Sequence, residues 1–366
     1  MGIAAYKLPS RVLRFLALTV FVVSILPARA QEPFIHSSDF YVTTSDNVSI
    51  HVHRKVASFD QFNFAFKRVP VLLIHGTWVD GRVWDFPGRS VMDHLAVQGY
   101  DVYALDLRGM GLSKGPSGQP NYASIDMFNR VNDVVAVARY ILATTGRLPV
   151  AMGWSGGGVV TGLFAASHPE LVAGVGFLSV ARDGFVVPPG LMSVLASILG
   201  TASFQPNQAE VDAIVFAINP ITGQSTMSLD AQNTFFSLTE PDSVKAVLQE
   251  VEICPGLPSF LVGTCAHPAW TAIKAPALVV DGALDVLVGA PRAKLLFDAL
   301  GSTNKHFLVF PFNSHGWFLE DNHDETVEVF DAFLSQFGFS ICLGSQCWSF
   351  NPPPLTSALF ETALSE

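Results

Sequence analysis

One short stretch limits the folds open to this chain more than any other: Leu148-Pro149-Val150-Ala151-Met152-Gly153-Trp154-Ser155-Gly156-Gly157-Gly158-Val159-Val160. An apolar run breaks at a glycine, presents one serine, and continues into a helix-compatible segment. That is the strand–turn–helix setting of a G-x-S-x-G elbow. A serine on so tight a turn has strained backbone angles, and glycines at 153 and 157 let strand and helix close around it. The Ser155 hydroxyl then stands at the carboxyl end of a strand. Three matched positions make a short motif, so its weight depends on partners following in the right order.

The N-terminus has a different character. Lys7, Arg11 and Arg14 precede an apolar run at 15–26, and Pro27-Ala28-Arg29-Ala30 ends in an A-x-A pattern. These are the parts of a secretory signal peptide over 1–30, with cleavage expected after Ala30 and a secreted or periplasmic destination. A retained membrane anchor is the alternative, but the run is shorter than the roughly 20 residues that span a bilayer. A leader with four basic and no acidic residues takes the formal charge from −10 to −14 when removed. A surface of that sign repels nucleic acid and anionic lipid. Neither is an expected partner of the mature chain, and its oligomeric state stays open.

The cysteines stand at 254, 265, 342 and 347. An exported chain permits disulfides, and proximity favours Cys254–Cys265 and Cys342–Cys347, each closing a short loop worth about 2–3 kcal/mol. Zinc is disfavoured, because the pairs lack C-x₂-C spacing and nearby histidines.

Residues 39–43 and 48–56 alternate polar and apolar with period two around Ser45-Asp46-Asn47, which predicts an opening hairpin. His51 and His53 share one face of its second strand; an exposed strand face is favoured over a metal pair, since no third ligand lies within sequence reach. Asn47-Val48-Ser49 is a glycosylation sequon in a eukaryotic host. Continuous apolar runs at 69–74, 100–105 and 173–180 read as strands buried on both faces. Helical spacing at 122–144 and after the elbow separates them. Strands alternating with helices of this length predict a mainly parallel sheet with helices on both faces.

From about Arg182 to Thr271 the alternation stops. Apolar helical segments at 190–199 and 211–218 sit among prolines, which predicts an inserted, mostly helical cap over 182–271. The core, 31–181, then resumes at 272–338 with strand 277–280, helix 291–300, strand 306–310 and helix 320–337. The tail, 339–366, reads as an irregular strap.

Two further residues fall where the elbow needs partners. Asp285 follows the strand that ends in Val280-Asp281-Gly282, and His315 lies in the loop after the last strand. Ser155, Asp285 and His315 thus lie beyond carboxyl ends of parallel strands, where side chains from different loops converge. The order Ser…Asp…His suits a triad in which the histidine takes the serine proton and the acid fixes its tautomer. Asp183 is the alternative acid, with Asp281 behind it.

On these motifs the chain resembles the α/β-hydrolase superfamily, in its capped esterase and lipase-like branch. The resemblance covers roughly 69–337 and rests on His75-Gly76, the glycine-rich loop from Asp106 to Ser113, the Gly153–Gly157 elbow, Gly282-x-x-Asp285 and His315. It implies an oxyanion hole from the backbone N–H groups of Gly156 and Thr77, a structural role for the Asp106–Ser113 loop, and no cofactor or metal. A serine nucleophile argues against epoxide hydrolases and dehalogenases, which use aspartate there.

The expected activity is hydrolysis of a carboxylic ester, a neutral, apolar small ester or lactone, through an acyl-serine intermediate. Seven acidic residues and one basic, Lys245, lie between Gly184 and Trp270, which disfavours anionic acyl groups. An aminopeptidase or amidase of the same superfamily is the alternative, although proline iminopeptidases usually show Gly-Gly-Ser-Trp-Gly at the elbow. A non-catalytic binding module is disfavoured, because no triad residue is missing.

Overall fold

The computed structural model describes residues 34–58, 64–188, 192–343 and 346–350, without the side chains of 64–67 and 341–347. The signal peptide expected over 1–30 lies outside the described residues. The strands in chain order are β1 (Phe34–Thr43), β2 (Ser49–Ser58), β3 (Phe64–Arg68), β4 (Pro70–Ile74), β5 (Asp101–Leu105), β6 (Val150–Trp154), β7 (Gly174–Leu178), β8 (Ser203–Phe204), β9 (Asp242–Ser243), β10 (Ala277–Gly282), β11 (Lys305–Phe310), β12 (Phe339–Leu343) and β13 (Gln346–Phe350).

Eight of them form one sheet in the order β1-β2-β5-β4-β6-β7-β10-β11. The strands from β5 to β11 in that order run parallel, and β2 lies antiparallel against β5. Every residue of β4, β6, β7 and β10 is buried, as the continuous apolar runs demand. Strand periodicity divides them between two cores. Val71, Leu73 and Met152 join Trp84, Trp317 and Phe330 on one face, while Leu72, Ile74 and Ala151 meet the helices Met127–Thr145 and Gly156–Ser167 on the other. The long helix starts in a reciprocal cap between Asp126 and Asn129 and stops at Gly146, which is left-handed at φ 70°.

Between β7 and β10 the chain forms short helices at Met192–Ile198, Gln208–Val215, Leu229–Ser237, Val244–Glu250 and Ser259–Val262, with β8 and β9 paired antiparallel. Cys254 and Cys265 are joined by a disulfide there. Cys342 and Cys347 face each other in backbone register across β12 and β13, but their side chains lie outside the described residues.

Two expectations need correction. Over its described residues the tail is not an irregular strap: β12 and β13 form a hairpin that β3 extends into a three-stranded antiparallel sheet, while 351–366 lie outside the described residues. That pairing joins segments about 275 residues apart, which local sequence pattern cannot register. The helix expected over 320–337 is broken into His323–Thr326 and Glu328–Leu334. The carboxyl of Glu320 is drawn back to the preceding loop, accepting from the N–H of Ser314 and the amide of Asn313.

Candidate active site

Strand β6 delivers Ser155, which sits at φ 53° and ψ −128° as the helix Gly156–Ser167 begins. Left-handed φ is uncommon for a residue with a side chain, and here the fold over-determines it. The Ser155 N–H donates to the carbonyl of Leu178 on β7. A Cβ at Gly153 would lie 2.3 Å from the Gly157 oxygen, and one at Gly157 would lie 2.2 Å from the His75 oxygen. Neither position admits a side chain, so the elbow closes as its glycines indicate.

His315 comes from the loop after β11, and its Nδ1–H donates to Asp285 Oδ2 over 2.7 Å. Its carbonyl is held from two sides, by the indole of Trp154 and the hydroxyl of Ser179. Ser179, just past β7, is itself left-handed at φ 52° and fully buried, a positioning residue that no sequence motif marks. Asp285 follows β10 and accepts through Oδ1 from the N–H groups of Leu287 and Val288. Burial pushes its carboxyl up, but the His315 imidazole, Asp281 and the Val288 N–H outweigh it and hold it below the usual carboxylate range. Asp183 is exposed and ion-paired with Arg182. Asp281 is buried beside Asp285, and burial and the neighbouring charge push its carboxyl well above the usual range. Of the three candidate acids, Asp285 alone meets the imidazole.

The loop after β4 reaches the elbow from the other side. The His75 ring spans two loops, donating from Nδ1 to the Gly76 carbonyl and accepting at Nε2 from the Leu107 N–H. Asp106 accepts from the N–H groups of Gly81 and Leu112, which fixes the glycine-rich loop. Thr77 is brought against Gly156: a Cβ at Gly156 would lie 2.3 Å from Thr77 Oγ1. The two residues expected at the oxyanion hole therefore adjoin.

Ser155, Thr77 and His315 line one cavity of about 110 Å³, walled mainly by apolar side chains that include Trp78, Phe185, Leu195 and Phe235. From the Met192–Ile198 helix, Val194, Leu195 and Ile198 reach the cavity, whereas Met192 is 44% exposed. Two acids also line it, Glu210 and Glu250. Glu250 sits 6% exposed at the end of its helix, accepts from Thr77 Oγ1 over 2.7 Å, and was signalled by no motif. Elsewhere His51 bonds to Asp106 and Asp39, and His53 to Asp39, so both rings serve carboxylates at the start of the sheet.

Residues 71–329 match the alpha/beta hydrolase family. The chain belongs to that family. Among its relatives is a pimeloyl-[acyl-carrier protein] methyl ester esterase of Edwardsiella ictaluri, 28% identical over 271 residues, covering 73% of this chain and 92% of the relative. The corresponding protein of Vibrio atlanticus is 25% identical over 278 residues, with the same coverage. In fold, this α/β-hydrolase resembles an esterase from Exiguobacterium antarcticum, with TM-score 0.59 and 16% identity over 81% of this chain and 100% of the other. A thermophilic esterase from Thermogutta terrifontis gives TM-score 0.57 and 17% identity, over 82% and 99%.

Proposed function

We propose that this protein hydrolyses carboxylic esters through an acyl-Ser155 intermediate, with His315 as proton carrier and Asp285 as its orienting acid. One observation carries the reading: the serine on a strained elbow and His315, held from behind by Asp285, open onto the same apolar cavity. With Nδ1–H given to Asp285, the His315 Nε2 is free to take the Ser155 proton as the hydroxyl attacks the acyl carbon. The proton then passes to the leaving alcohol, and water repeats the sequence to release the acid. The N–H groups of Gly156 and Thr77 receive the oxyanion in each half-reaction.

The substrate we assign is a neutral ester or lactone with a short apolar acyl group. A dry apolar cavity of about 150 Å³ holds benzene, which sets the scale for the 110 Å³ here. The relatives are esterases of a methyl ester, consistent with a small alcohol group. Cap charge bears on this less than a residue count implies. Glu240, Asp242 and Glu252 are paired with Lys114, Arg130 and Arg292, so three of the seven acids are answered by cations. We also assign the chain to export, on the strength of the leader-like N-terminus.

The test is labelling with a fluorophosphonate, alongside hydrolysis of nitrophenyl esters, lactones and aminoacyl amides. Ser155 is the residue labelled, and Ser155→Ala abolishes labelling and turnover without altering the thermal melt. Labelling that survives in Ser155→Ala overturns the assignment. Faster turnover of aminoacyl amides than of esters moves the protein to the aminopeptidase reading.

A further inference from the structure

The acyl-transfer scheme leaves one buried group beside the nucleophile unexplained. Glu250 ends the helix Val244–Glu250, lines the cavity, and has one carboxyl oxygen engaged by Thr77 Oγ1. Its other oxygen, Oε2, is buried and has no hydrogen-bond partner among the described residues. That oxygen packs on the residue after the nucleophile: a Cβ at Gly156 would lie 2.4 Å from it. The carboxyl thus adjoins both residues of the oxyanion hole, bonded to the Thr77 hydroxyl and filling the space that a side chain at Gly156 would take. A buried polar atom left unpaired in a resting site is one that a bound group can satisfy.

We propose that Glu250 works as a neutral carboxylic acid that completes the oxyanion pocket of Thr77 and Gly156, and that loss of its proton shuts the site down. The inference rests on the acyl-Ser155 reading. A protonated Oε2 is a donor that the resting structure leaves unused, beside the place where negative charge develops during attack. An ionised Oε2 is a negative charge in that place. Donors aimed at a developing oxyanion speed the reaction, and a fixed anion there slows it.

The surroundings keep the group neutral. Burial pushes the carboxyl up to about 8; the Thr77 hydroxyl opposes this, Asp242 adds to it, and Arg130 opposes it. Arg130 is itself ion-paired with Asp242, so among the described residues Glu250 has no cation of its own. The carbonyl end of the helix also disfavours an anion. His315 and Glu210 line the same cavity. Gly156 belongs to this device as much as to the elbow, because any side chain there collides with Thr77 and Glu250.

The test follows hydrolysis of 4-nitrophenyl butyrate and the rate of fluorophosphonate labelling at Ser155 from pH 6 to 10, both probes being uncharged. In the wild type both rates fall as pH rises through about 8, approaching tenfold per unit beyond it, as one ionisation requires. Glu250→Gln is slower at pH 7 by a few-fold, yet has the same rate at pH 7 and 9.5. Glu250→Leu loses on the order of 10²-fold in kcat with little change in KM, the signature of a donor used in the transition state. Thr77→Val keeps the backbone N–H but removes the hydroxyl that supports the anion, so its alkaline limb moves to higher pH. A Glu250→Gln profile that shares the wild-type limb, or a Glu250→Leu variant with wild-type kcat, overturns the proposal while Ser155 labelling still stands. If Glu250→Leu does not fold, Glu250→Gln and Thr77→Val decide it. Absence of labelling at Ser155 in the wild type overturns the acyl-serine reading and this proposal together.

Discussion

Asp285 and Glu250 are both enclosed carboxyls, one in a loop at the end of a parallel strand and the other in the segment between β7 and β10. They settle in opposite charge states. Asp285 accepts from two backbone N–H groups and an imidazole, and these donors outweigh its burial. Glu250 accepts from one hydroxyl, and burial prevails. Burial alone therefore says little about a carboxyl; the count and charge of its donors decide whether it is an anion or an acid. The strand-end loops supply such donors because backbone turns there leave N–H groups free. A helix C-terminus supplies carbonyls instead.

The sharpest way to break this contrast is at the anion. Asp285→Asn can still accept from Leu287 and Val288, so its melting temperature stays near wild type. Its amide cannot serve as the anion that fixes the His315 tautomer, and kcat falls by about 10⁴-fold. Asp183→Asn alters only an exposed pair with Arg182 and changes kcat less than twofold. Steady-state kinetics with 4-nitrophenyl butyrate, read beside thermal melts, check both. Reversed effects would place the acid on the earlier strand.

The neutral member yields a stability prediction of opposite sign. Its folded-state value, near 8, lies above the ordinary 4.5. Between those values the unfolded chain releases a proton that the folded chain keeps, so stability falls as pH rises. The contribution lost between pH 4.5 and 7 is on the order of 3 kcal/mol. Glu250→Gln lacks this slope, so it gains stability over the wild type as pH rises from 5 to 8. Urea unfolding of both proteins at several pH values reads the difference directly. Equal pH slopes would show that Glu250 is ionised in the folded chain. The expected variant is steadier and slower at neutral pH, a trade between stability and activity.

The same division separates what was legible in the sequence from what was not. β4, β6, β7 and β10 are short apolar runs buried on both faces, β5 is buried beyond Asp101, and the edge strand β11 is half-buried; their spacing shows in the chain itself. Ser155, Asp285 and His315 follow from position relative to those runs, and the structure brings Asp285 and His315 into contact. Glycine at 153 and 157 could be read because close packing leaves no other residue possible there. Gly156 carried a second constraint that could not be read, since it depends on Glu250, 94 positions away. Ser179 and Glu250 belong to no periodic pattern, and their partners lie in other loops. The β3–β12 pairing was missed for the same reason. Local pattern registers strands and turns; it does not register which loop tips meet.

The smallest effects concern the cavity wall, where the segment between β7 and β10 meets the strand-end loops. Met192, Leu195 and Ile198 lie on one apolar helix. The structure distinguishes them: Leu195 is 8% exposed and lines the cavity, while Met192 is turned to solvent. Leu195 also packs in a satellite cluster with Val244, Leu248 and Val262, so a substitution there acts in two ways. The two are separable by chain length. Each methylene buried in the cavity contributes about 0.8 kcal/mol, close to fourfold in kcat/KM. In the wild type, kcat/KM should rise by about that factor per carbon from acetate to butyrate. Leu195→Asp flattens the series by placing a charge where the chain ends, and Met192→Asp leaves it unchanged. Should Leu195→Asp lower every ester by one factor along with the melting temperature, Leu195 serves packing alone and the acyl chain runs along another wall.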